Sequence, residues 1–92
     1  MAEVIGNPDV IESFARELDE YCQETRDNLQ RICGRLDGME SERTWADDQY
    51  YRYRDMFREV SGHMQQTLEH VRDEHIQHLR HVIQRLRAYL EQ

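Results

Sequence analysis

Ninety-two residues make one domain at most, and a chain of this size buries only roughly 60–65% of its extended surface, so a monomer has a thin core. Charged residues make up 34% of the chain and the formal net charge is −7, which argues against nucleic acid as a partner, because phosphates require a cationic surface. No apolar run approaches the roughly twenty residues that cross a bilayer, and the first residues lack the basic region and apolar core of a cleaved signal peptide.

In chain order, residues 1–6 read as a loose tail. Asn7 followed by Pro8 is a helix start, since asparagine caps free amides and proline at the first helical position loses no hydrogen bond. Ile11, Ala15, Leu18, Cys22, Thr25, Leu29, Ile32, Leu36 and Met39 then recur at alternating steps of four and three, a heptad stripe. Gly38 is the expected stop, which places the first helix at about 8–37. Cys22 and Cys33 lie on or near this stripe, too far apart along one helix to pair with each other, and read as buried thiols, with an intermolecular disulfide or a metal role as the alternative.

Residues 38–44 read as the turn, with Thr44 and Asp47 in the arrangement of a capping box. A second helix is expected from about 45 to 90. Its apolar strip is Tyr50, Tyr53, Phe57, Val60, Met64, Leu68, Val71, His75, Leu79, Val82, Leu86 and Tyr89, with Ile76 and Ile83 set 80–100° round from it at about 100° per residue. Residues 1–48 carry thirteen acids against five arginines, whereas residues 49–92 carry six acids against seven arginines, so the two helices attract each other when antiparallel. The fold class is therefore all-α: one helical-hairpin domain over 1–92 that pairs into a four-helix bundle dimer.

The expected lengths do not match, and the end of the second helix projects past the first. Val82, Leu86, Tyr89 and Leu90 in that overhang, together with Trp45, Tyr53 and Phe57 near the turn, are the candidate interaction residues. Arg80, Arg85 and Arg87 border the overhang and are expected to meet the acidic first helix of an antiparallel partner.

Five histidines fall within 63–81, and His70, Glu74 and His78 step by four along one flank. Such steps stack side chains at metal-ligand spacing, yet the His-Glu-x-x-His signature is absent and solvated or interface histidines are the plainer reading. No Asp or Glu has histidine three positions on, as a di-iron bundle would require, and no glycine-rich phosphate loop or Cys-x-x-Cys pair is present. No catalytic residue, cofactor or metal site is assigned.

With Trp45-Ala46-Asp47 at the turn, and Tyr53 and Phe57 eight and twelve residues after the tryptophan, the chain resembles the WXG100, or ESAT-6-like, family. Asp47 stands where that family's Trp-x-Gly turn has glycine. The family's Tyr-x-x-x-Asp/Glu element is matched only by Tyr51 and Asp55, early in the second helix rather than after it. The resemblance implies a non-enzymatic small dimer, homo- or heterodimeric with a related hairpin, that is exported through a type VII secretion system without a cleaved signal. A cytoplasmic helical adaptor or structural subunit, or a metal-binding four-helix bundle, is the alternative. Localisation is accordingly secreted without such a signal, or cytoplasmic.

Overall fold

A computed structural model describes residues 5–91 and shows an antiparallel helical hairpin. Helix α1 spans Pro8–Ser41; helix α2 spans Asp48–His70 and continues through a π-helical segment, Val71–Ile76, into α3, Gln77–Leu90. Of the tail expected at 1–6, residues 1–4 lie outside the described residues, and Ile5 and Gly6 are non-helical. The expected cap forms: the Asn7 carboxamide oxygen accepts from the amides of Asp9 (3.0 Å) and Val10 (3.3 Å), with Pro8 opening the helix.

Gly38 does not stop α1, which runs to Ser41. The termination signal lies five residues later, where Arg43 adopts φ +60°. The amides of Arg43 and Thr44 bond back to the carbonyls of Glu40 (3.2 Å) and Met39 (3.0 Å). This is the Schellman pattern with arginine in the left-handed position that glycine usually fills. The expected capping box is also revised. Thr44 donates its hydroxyl to the Met39 carbonyl, and Asp47 itself caps α2 by accepting from the Tyr50 amide at 2.9 Å.

These shifts remove the overhang. Arg87 reaches both Asp9 and Glu12 at the start of α1, and Leu86 lies under Gly6, where an added Cβ would sit 2.8 Å from the leucine Cδ1. Only the final turn, with Tyr89 and Leu90 exposed, passes the beginning of α1. The long arm of the hairpin is matched because α1 is longer than expected and the connection occupies 42–47.

The seam is narrow. On α1 it consists of Ala15, Cys22, Leu29 and Leu36, seven residues apart at every step. Opposite them lie Tyr50, Ser61, Ile76 and Ile83. The Cys33 Sγ is 3.2 Å from the Ser61 hydroxyl, and Cys22 is buried; both thiols are free. Along α2 the half-buried and buried positions Arg54, Ser61 and Leu68 are also spaced by seven. Continued, that series would bring His75 and Val82 into the seam. The π turn holds one residue more than an α turn, so Ile76 (2% exposed) and Ile83 (5%) take those places instead, and His75 is left exposed.

Candidate interaction surface

Two sides flank the seam and they differ in chemistry. One side is laced by ion pairs between the helices. Arg54 Nη1 lies 2.8 Å from Glu40, Arg58 Nη2 3.2 Å from Asp37, and Arg72 Nε 2.9 Å from Asp19, while Arg87 pairs with Asp9 and Glu12. The bonds from Glu12, and then Asp9, raise the affinity of the Arg87 guanidinium for its proton above its ordinary value. Arg87 is thus paired within its own chain.

The other side is apolar. Tyr21 and Thr25 of α1 line a shallow groove with Val60, His63, Met64, Thr67 and Leu68 of α2. Toward the turn, Ile32, Leu36 and Met39 line a second groove with Trp45, Tyr53 and Phe57. Phe14, Tyr21, Ile32, Tyr53, Val60 and Met64 are all exposed there, Val60 by 54%. Helical spacing makes this one face: Tyr53, Phe57, Val60, Met64, Leu68 and Val71 follow one another at steps of three and four. Past the π segment, Leu79, Val82 and Leu86 carry the same series on as half-buried positions.

The long strip expected to form the hairpin's core is therefore half-buried at six positions and exposed at Tyr53, Val60, Met64, His75 and Tyr89. Tyr50 is its exception: fully buried, it donates its hydroxyl to the Leu36 carbonyl at 2.7 Å. Arg54 closes over the rings of Tyr50 and Tyr51, 5.7 and 5.1 Å from their centroids. Ile76 and Ile83, expected to one side of the strip, face α1.

Among the named candidates, Trp45, Tyr53 and Phe57 come together. The indole is half-buried, its N–H donates to Asp47 at 3.0 Å, and its ring lies at 6.2 Å from Tyr53, which in turn stacks at 6.2 Å on Phe57. An edge contact to Tyr50 at 5.3 Å ties this aromatic ladder to the seam. Val82 and Leu86 are half-buried toward the far end of the same hairpin, and Tyr89 and Leu90 stand exposed beyond them, so the structure separates these four from the ladder. The central residues Tyr21, Val60 and Met64 were not among the candidates: Val60 and Met64 lay on the strip read along the second helix and Tyr21 on none, and the missing signal was which stripe the first helix would cover.

Of the histidines, His63 borders the apolar groove. His70 lies 3.4 Å from Glu74 and edge-on to His75, with ring centroids 5.7 Å apart. Among the described residues no three His, Cys, Asp or Glu side chains converge as a metal site, and no described helix is long and apolar enough to cross a membrane. Comparison with known proteins returns no match among family models, curated proteins or solved structures.

Proposed function

We propose that the chain is a non-enzymatic protein–protein interaction module whose open apolar face packs on a second helical hairpin to make a four-helix bundle. The observation that carries this reading is the face itself: a strip from Tyr53 to Leu86 that α1 covers only in part, leaving Tyr53, Val60 and Met64 exposed and the rest of its apolar members half-buried. Strips of that regularity are the means by which helices enclose a common core, and two helices alone cannot enclose one. Burying a large apolar side chain fully gains about 1.5–3 kcal/mol, so several half-covered positions together supply a drive of several kcal/mol to set against the roughly 4–15 kcal/mol cost of association.

The resemblance to the WXG100 layout supports a role in type VII secretion, as a small secreted or secretion-associated dimer, with a homodimer or a heterodimer of related hairpins as the assembly. A cytoplasmic adaptor with the same fold is the competing role. A tandem relative or a secretion ATPase encoded beside the gene separates the two.

The test of association is sedimentation equilibrium on the full chain and on the variant Val60→Glu/Met64→Glu. The unmodified chain is expected to sediment above its monomer mass, and the variant to fall to it with its helical circular dichroism retained. An assembly that survives both charges would overturn the assignment of this face.

A further inference from the structure

We infer that the π segment of the second helix is a binding site for a divalent transition-metal ion of the zinc class, held by His70, Glu74 and His75. The site does not depend on what covers the apolar face. It rests on which side chains the π turn brings together and on the distances between them.

In a regular α-helix, at about 100° per residue, His75 would stand roughly 140° round the axis from His70, too far to share an ion with it. A π turn closes its hydrogen bonds five residues apart rather than four, so positions i+4 and i+5 both come to lie next to position i. Val71–Ile76 is π-helical, and His70, Glu74 and His75 stand at i, i+4 and i+5 across it. His78, the next step of four, lies roughly 12 Å from His70 along the axis. The wider turn therefore brings His75, and not His78, to the pair.

The spacings are those of donors around one ion. His70 Nε2 is 3.4 Å from a Glu74 carboxylate oxygen. Zinc bonds imidazole nitrogen at about 2.0–2.1 Å and carboxylate oxygen at about 2.0–2.2 Å, so two such donors on a tetrahedral ion stand roughly 3.3–3.5 Å apart. The ring centroids of His70 and His75 are 5.7 Å apart; two imidazoles on one tetrahedral ion hold theirs roughly 5.2 Å apart by the same bond lengths.

As they stand the three side chains do not converge on one point, and the two rings are inclined at 67°. The side chains of His70 and Glu74 are 56% and 69% exposed, and His75 is exposed as well. Rotation about side-chain bonds closes the set with the backbone unmoved. Two imidazoles with one carboxylate suit zinc, nickel or copper rather than magnesium or calcium, which take oxygen ligands, and they leave a fourth position to water. An ion so held fastens residues that only the π turn aligns. It thereby favours the register that keeps Ile76 and Ile83 in the seam, and binding to the folded chain alone raises its stability.

Calorimetric titration of the untagged, chelator-stripped full chain with Zn²⁺ tests the site. One ion per chain and a raised melting temperature are expected. Loss of an outer-shell partner costs about 10–100-fold in metal affinity, so loss of a ligand in His70→Ala, Glu74→Gln or His75→Ala is expected to weaken binding at least about tenfold. All three positions are exposed, and circular dichroism in the absence of zinc is expected to show each variant folded as the parent. His78→Ala and His81→Ala are expected to bind as the parent does. Binding that His78→Ala weakens and His75→Ala does not would place the ion on the regular flank and overturn the π-turn site. A Kd above about 100 µM for the unmodified chain would overturn it outright. The Val60→Glu/Met64→Glu chain is expected to bind with the same affinity; a loss there, or half an ion per chain, would mean that the ion bridges two chains and would overturn a site within one.

Discussion

A phenol hydroxyl enclosed between two helices must find an acceptor there, and Tyr50 finds the Leu36 carbonyl. Removing only that bond, in Tyr50→Phe, is expected to cost about 1 kcal/mol. Removing the ring, in Tyr50→Ala, is expected to cost about 3–5 kcal/mol. Trp45→Ala, whose ring is only half-buried, is expected to destabilise less than Tyr50→Ala and to weaken self-association more. Thermal melting of the three variants at low and high concentration checks the order. An equal loss of concentration dependence in Tyr50→Ala and Trp45→Ala would remove the distinction between hairpin staple and partner contact. Residue-level signals were legible where the chemistry is local, as in the Asn7 cap followed by Pro8. They failed at the turn because Arg43 adopts a left-handed conformation without being glycine, so Gly38 drew the helix end to itself.

At the scale of the elements, the π segment acts as a one-residue insertion in the second helix. With one residue removed from Val71–Ile76, Ile76 and Ile83 fall on the series set by Arg54, Ser61 and Leu68, and the helix can run as regular α throughout. Deleting Asp73, which is exposed, is therefore expected to leave the melting temperature unchanged or raised. Deleting the equally exposed Asn28 rotates half of α1 out of register with no bulge to absorb the change, and is expected to unfold the hairpin. Circular dichroism melts of the two deletions decide this; equal damage from both contradicts the insertion reading. Both helices were legible from periodicity to within a few residues at most ends. The choice of stripe was not. His75 and Val82 continue the regular spacing, and only the wider turn, which no local residue type announces, puts Ile76 and Ile83 into the seam.

Across the whole molecule, ion pairs bind one side of the hairpin and leave the apolar side uncovered. Exposed pairs of this kind contribute about 0–1 kcal/mol each, so Arg72→Gln, which loses the bond to Asp19, is expected to lower stability by no more than about 1 kcal/mol. The effect should shrink as salt rises, because screening weakens the pair it removes. A loss several times larger, independent of salt in chemical denaturation, would assign Arg72 a packing role instead.

The register of the hairpin has a kinetic consequence. Contacts beside the turn, such as Tyr50 with Leu36, close a short span of chain, whereas Arg87 with Asp9 closes nearly all of it. Because loop-closure entropy grows with span, formation should begin at the turn and travel outward like a zip, and opening should run the other way. Amide hydrogen exchange is then expected to be slowest around Leu36 and Tyr50–Phe57 and to quicken steadily toward Pro8 and Leu90.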